Sequence, residues 1–278
     1  MNIRRNVFWI LDYLKGSKIR RHYNEIKSVL ENPDSLNSNK IREQRLNELI
    51  DHAITTTPFY KNKNYKSLFD FPIINKVQVI ESFEQFKSTK FSNQNLRKVS
   101  TSGSTGIPFK ILQNKNKTNR NTADAIFFSS QANYIIGQKL IYIKLWDKKS
   151  YKNKTLLFYQ NIIPFNILKN SNYEIEELLN KIKNIKGTKT IIVYPSFLER
   201  ICEYLDIYND DTNYNINSII TMSESLNHYE RVGASKYFNS QVFERYSNIE
   251  NGILAQQTGD SNSNYKINIA SYYVEILK

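Results

Sequence analysis

Apolar side chains return at helical spacing through the first part of the chain, and in short runs separated by helical patterns through the rest. Val7, Ile10, Leu11 and Leu14 share one helical face. Leu46, Leu49, Ile50, Ala53 and Ile54 predict a helix that Thr55, Thr56, Thr57 and Pro58 stop. Another is predicted from Asn75, with Val79, Ile80, Phe83 and Phe86 facing inward, and a long one over 118–136 carrying Ala123, Ile126, Phe127 and Ser130. Beyond it, strands are expected at 140–146, 156–158, 190–193, 218–221 and 241–243, and helices at 173–182, 197–205 and 227–238. This alternation argues for parallel strands joined by crossover helices, an α/β fold. Before it, two alternating stretches, 96–99 and 109–112, flank the run Ser100-Thr-Ser-Gly-Ser-Thr-Gly-Ile-Pro-Phe-Lys110 and predict a hairpin with that run at its tip.

Composition narrows the setting. A chain of 278 residues with 13% aromatics can bury a substantial core, as one large domain or two small ones. Its one cysteine, Cys202, can form no internal disulfide, which fits a reducing compartment; it reads as a filler of a helix core face, since no charged pattern marks it as a reactive thiol. No apolar run approaches the roughly 20 residues that cross a bilayer. Asp12 interrupts the basic, apolar start and no cleavage pattern follows, so a cytoplasmic protein is expected.

The 39 Lys and Arg against 26 Asp and Glu leave a net charge of +13. Such a balance suits an anionic partner. The charges are spread along a chain heavy in Lys, Asn, Ile and Tyr, however, and an A/T-rich codon bias explains them equally well. No RNA-recognition, zinc-finger or helix-turn-helix signature accompanies them, which disfavours nucleic acid. Arg4, Arg5, Lys15, Lys18, Arg20 and Arg21 surround the first apolar helix face. Packing of that face on the chain's own domain, basic side outward, is the expectation, and peripheral contact with an acidic membrane is the alternative.

The densest chemistry lies in the 100–110 run. Gly103 and Gly106 let main-chain N–H groups converge on one anion, Ser102, Ser104 and Thr105 add hydroxyl donors, and Lys110 adds a positive charge. It is not a Walker loop, whose Gly-x4-Gly-Lys-Ser/Thr spacing is absent. Thr101-Ser-Gly-Ser-Thr-Gly-Ile-Pro108 resembles the phosphate loop of AMP-forming adenylating enzymes. Asp51-His-Ala-Ile-Thr-Thr-Thr-Pro-Phe-Tyr60 and Phe71-Pro-Ile-Ile-Asn-Lys76, in that order before the loop, are similar to phenylacetate-CoA ligase-like proteins of the capsular polysaccharide biosynthesis branch. The resemblance implies the large N-terminal domain of that fold, with helices on mixed, largely parallel sheets. It also implies a helical segment at 1–90, an adenylation core at 91–278, and no small C-terminal domain.

Three motifs follow predicted strands, where active residues of such sheets gather. Each also reads as an ordinary strand-to-helix turn. Tyr194-Pro-Ser196 resembles a motif bordering the carboxylate pocket, and Met222-Ser-Glu-Ser-Leu226 the segment lining the adenine and acyl pockets, through Ser223 and Glu224. Tyr246 to Glu250 resembles the Tyr-Gly-x-x-Glu signature, which implies Tyr246 against adenine and Glu250 on magnesium; Ser247 stands where the family has glycine. By the same resemblance Thr101, Ser102, Gly103, Ser104, Thr105, Gly106 and Lys110 hold the phosphates of ATP, with coenzyme A a further candidate. The likeness covers about the first two-thirds of the family's length and stops before its ribose-binding aspartate and mobile lysine domain. The expectation is therefore carboxylate adenylation, weak or absent in this chain unless the remaining part is supplied, for instance by a separately encoded half. The competing readings are a non-catalytic nucleotide- or partner-binding remnant and a basic nucleic-acid or membrane-surface protein.

Overall fold

The computed structural model describes residues 2–61, 63–100, 109–146, 153–208, 211–259 and 264–276. Three helices open the chain, α1 (Ile3–Leu14), α2 (Lys18–Glu31) and α3 (Leu36–Thr56), followed by the short α4 (Lys76–Glu81). The hairpin strands β1 (Arg97–Ser100) and β2 (Lys110–Gln113) come next, then α5 (Lys115–Gln131). An alternating series follows: β3 (Lys139–Lys144), α6 (Lys154–Gln160), β4 (Ile162–Asn166), α7 (Asn172–Asn184), β5 (Lys189–Val193), α8 (Pro195–Tyr208), β6 (Ile216–Met222), α9 (His228–Phe238) and β7 (Val242–Asn248). Strands β8 (Gly252–Gln257) and β9 (Tyr265–Ile267) finish it.

The asparagine-rich composition has a local use at the helix starts. Asn2, Asn75, Asn114, Asn153 and Asn227, with Ser35 and Ser171, each accept a backbone N–H of the first turn. These side chains satisfy donors that a helix start leaves orphaned.

One seven-stranded sheet runs in the order β4-β3-β5-β6-β7-β8-β9. Its first five strands are parallel; β8 and β9 join antiparallel. Alternate residues serve opposite faces, as the pleat requires. Ile141, Ile143, Ile191, Val193 and Ile219 meet α7, α8 and α9 on one side, while Leu140, Ile192, Ile220, Met222 and Phe243 build the core of the other. The N-terminal helices attach through a separate cluster, in which Ile26, Val29 and Leu30 of α2 pack on Ala123, Phe127 and Phe128 of α5.

Besides shifted ends, with α4 stopping at Glu81 before Phe83 and Phe86 and α5 running over Lys115–Gln131, three expectations need correction. Residues 156–158 are helical, within α6, because Asn153 caps its start and Asn161, at φ 56°, ends it; a three-residue apolar run does not distinguish strand from helix. The strand is β4, at the sheet's edge, where Pro164 lacks no needed donor. Strand β7 does not end at Phe243 but continues through Asn248, so Tyr246 and Ser247 lie inside a strand.

The third correction concerns α1, whose face of Val7, Ile10, Leu11 and Leu14 points to solvent. Asp12 dictates this. Ser17 precedes α2 without a side-chain cap, and buried Asp12 supplies one instead, accepting the N–H groups of Ile19 at 3.0 Å and Arg20 at 2.8 Å. Trp9, on the inward side, packs at a tilt against Tyr23 and lies under the Arg20 guanidinium.

Two predictions come from the packing. Gly233 of α9 faces Cys202 of α8, and an added Cβ would stand 2.5 Å from the sulfur. Gly233→Ala is expected to lose about 1–2 kcal/mol in urea unfolding, despite alanine's better helix propensity. The loss should shrink when Cys202→Ala is also present, though the Cys202 Cβ, 3.0 Å away, still crowds the site; equal losses in both backgrounds would show that the sulfur contact does not matter.

Lys117 is held in a polar cluster that ties α5 to the end of the chain. Its Nζ donates to the Tyr272 hydroxyl at 2.8 Å, while Ser271 donates to Asp124. Burial pushes its ammonium down to about 8. The unfolded chain keeps that proton to about pH 10.4. Between those values the unfolded state binds more protons, so raising the pH stabilises the fold. Urea midpoints at pH 8 and pH 10 should show a gain on the order of 1 kcal/mol that Lys117→Met removes.

Candidate functional site

Parallel neighbours bring the ends of β5, β6 and β7 side by side: Val193 pairs with Thr221, and Met222 with Arg245. Tyr194, the 222–226 segment and Arg245-Tyr246 therefore stand along one edge of the sheet. Two of the motifs touch. Glu224 Oε2 accepts the backbone N–H of Ser196 at 2.9 Å and so caps the start of α8, where a carboxylate also suits the helix dipole. Ser223 adopts φ 70°, the left-handed turn that lets the chain leave β6 and present Glu224. Tyr194 is half-buried, and burial raises its hydroxyl pKa against the lowering effect of a backbone bond with Leu145.

Tyr246 leaves β7 with 64% of its surface exposed, offering an aromatic face. The register shifts between Tyr246, opposite Ala255, and Ser247, opposite Ile253, so the extra residue, Leu254, is on β8. Such bulges re-aim side chains. Beside them Arg245 is partly buried, its Nε donating to Gln256 at 2.7 Å and its Nη2 to Ser129 at 3.1 Å. Among the described residues no carboxylate lies within ion-pair distance of it, and burial pushes it down to about 10.

Glu250 sits in the turn between β7 and β8 and is buried. Lys76 Nζ donates to its Oε1 at 2.7 Å, and Gln113 Nε2 donates to its carbonyl at 3.0 Å. Gln113 ends β2, and Lys76 Nζ also lies 5.3 Å from the Phe109 ring. The turn of Glu250 is thus docked against the hairpin, and one lysine spans from its carboxylate to the residue that precedes β2. The hairpin pairs Ser100 with Lys110, the strand ends from which the 101–108 run departs. Lys110 is exposed there. Thr101, Ser102, Gly103, Ser104, Thr105 and Gly106 themselves lie outside the described residues.

Sequence reasoning put Lys76 inside a family-like stretch without a role, and gave none to Gln113 or Arg245. Lys76 had one signal: Asn75 and Gln78 form a reciprocal cap that fixes it as the first residue of a helix. Gln113 had none, because its partner is 137 positions away.

Among the described residues no group of three or more His, Cys, Asp or Glu could enclose a metal ion. Glu250 offers a single carboxylate. A lone carboxylate would suit only an ion carried mainly by other ligands, such as a magnesium ion on phosphates and water, and cannot form a protein cage.

The fold is that of the N-terminal part of adenylate-forming ligases, a likeness seen in solved structures at low identity. The chain superposes on 2-hydroxyisobutyryl-CoA ligase in its postadenylation state with R3-HIB-AMP at TM-score 0.64 and 14% identity, over 83% of this chain and 53% of that one. It superposes on the same ligase with 2-HIB-AMP and CoA in the thioesterification state at TM-score 0.63 and 17% identity, over 82% and 52%. The chain therefore spans about half the length of these structures. No protein-family model matches the sequence, and no curated protein matches it significantly.

The Lys76–Glu250 contact yields a prediction. In a double-mutant cycle of Lys76→Met and Glu250→Gln, urea unfolding should reveal a coupling of about 0.5–1 kcal/mol, the range for a pair with one partner exposed. Additive losses would mean that the ion pair carries no energy.

Proposed function

We propose that this chain is the nucleotide- and carboxylate-binding part of an AMP-forming adenylating enzyme of the phenylacetate-CoA ligase-like, capsular polysaccharide branch. The observation that carries the reading is the docking of the Glu250 turn on the hairpin that bears the 101–108 run, beside the three motifs at the ends of β5, β6 and β7. The adenylate-bound ligases of the same fold support it.

In this reading a substrate carboxylate oxygen bonds to the α-phosphorus of ATP while the bond to pyrophosphate breaks. No side-chain nucleophile is needed, so the chain's work is alignment and charge neutralisation. The hydroxyls and backbone amides of Thr101, Ser102, Gly103, Ser104, Thr105 and Gly106 hold the β- and γ-phosphates, and Lys110 adds its charge. The exposed ring of Tyr246 receives adenine. Glu250 would hold magnesium, which would supply further neutralisation when bound, and Lys76, the ion-pair partner of Glu250, adds a second positive charge nearby. Tyr194 and Ser196 border the carboxylate substrate, and Ser223 and Glu224 the space between it and adenine. The acceptor is coenzyme A, a sugar or another group.

Ser247 favours a second reading, a binding protein without catalysis, because a side chain stands where the family has glycine, at the step where the register between β7 and β8 shifts. Calorimetry with magnesium-ATP and pyrophosphate exchange over a carboxylate panel separate the two. Saturable ATP binding is expected, weakened about tenfold or more by Lys110→Ala and by Glu250→Ala, as for charged hydrogen-bond partners. Binding without exchange selects the second reading. Absent binding, or binding that both variants leave unchanged, would falsify the site.

A further inference from the structure

The apolar face of α1 has no partner, and both ends of the helix are fixed so that it cannot turn inward. At its start, Asn2 Nδ2 donates to the Ile136 carbonyl at 3.0 Å, and the backbone of Gly137 lies so close that an added Cβ would stand 2.6 Å from the Asn2 side chain and 2.9 Å from Arg4. At its end, Asp12 is committed to the N–H groups of α2. Positions 3, 7, 10, 11 and 14 follow helical spacing along one side, and Ile3, Ile10 and Leu14 are 69%, 58% and 73% exposed. Phe158 and Tyr159 of α6, also exposed, extend the surface, joined to α1 by the Arg4 guanidinium 5.2 Å over the Phe158 ring.

The charge around this face has one sign. Arg4 and Lys15 border it, Arg5, Lys18, Arg20 and Arg21 lie nearby in α1 and the start of α2, with Arg20 over Trp9 on the inward side, and Asp12, the one acidic residue among the first 21, is buried. Lys18 and Arg21 continue into a cleft of about 430 Å³ lined also by His22, Arg45 and Lys115, against the single acid Glu25. A second copy of this chain docking face to face would set these cations against their own equivalents. An anionic surface that accepts apolar side chains has the complementary chemistry, and a 12-residue helix is suited to lie along such a surface rather than to cross it.

We propose that α1 seats the protein on an anionic lipid bilayer, with Ile3, Val7, Ile10, Leu11 and Leu14 in the acyl boundary and the flanking Arg and Lys side chains at the headgroups. The inference goes beyond the adenylation reading and stands without it.

Flotation with vesicles of phosphatidylcholine alone, or containing a minority of phosphatidylglycerol, tests it on the full chain. Binding is expected to the phosphatidylglycerol vesicles and to weaken with added salt. Ile10→Asp with Leu14→Asp, both at exposed positions, should lower the partition about tenfold or more. Lys15→Glu with Lys18→Glu should lower it about tenfold or more at low salt, near fivefold for each basic residue. Circular dichroism confirms that the variants fold. The proposal is overturned if the native chain ignores phosphatidylglycerol vesicles, or if the aspartate variant binds them equally well. It is also overturned if the native chain ignores them and sediments as a dimer that the aspartate variant breaks, which assigns the face to a second copy.

Discussion

A carboxylate taken out of water must be met by a cation or by donors, and Glu250 is the place where that demand shapes this molecule. The strand that delivers it, β7, belongs to the large sheet; Lys76, which answers it, opens α4 in the N-terminal region. Gln113, which holds the same turn by its backbone, belongs to the small hairpin. Three parts of the chain, distant in sequence, converge on four or five atoms. Moving Lys76 would strand a buried charge and moving Gln113 would leave the carbonyl of the same turn unpaired, so the hairpin is held at a fixed place beside the edge where β5, β6 and β7 end.

The sheet itself was largely legible before any coordinates. Parallel strands covered on both faces must read as short apolar runs such as Ile191-Ile-Val193 and Ile219-Ile220, and caps such as Asn75, Ser171 and Asn227 mark helix starts. The failures share a cause, which is that local pattern is silent about long-range context. Leu156-Leu-Phe158 could satisfy either geometry, and only the caps on each side decide for helix. The strand through Tyr246 and Ser247 is sustained by pairing with β8, a partner the residues around Phe243 do not announce. At the candidate site the sequence indicated which short motifs would share an edge, through their places after strands. It could not show that Glu224 reaches the amide of Ser196, or that Lys76 reaches Glu250, because both depend on how separate elements dock.

Amphipathic periodicity carries the same limit in a sharper form. The spacing of Val7, Ile10, Leu11 and Leu14 tells which residues share a face and says nothing about whether that face looks at protein or away from it. Here a single polar residue on the opposite side decides. Asp12 is needed by the amides of Ile19 and Arg20, so the carboxylate goes in and the leucines go out.

The borders of the large sheet have a bearing on how copies of this chain meet. At one margin Pro164 interrupts the row of donors along β4; at the other, β9 is three residues long. Neither rim gives a neighbouring backbone a template of any length, so edge-to-edge growth is blocked at both sides. In a chain this rich in isoleucine and tyrosine the large sheet is thereby kept from growing through its main-chain polar groups, and whatever adheres at those two rims must be engaged through side chains.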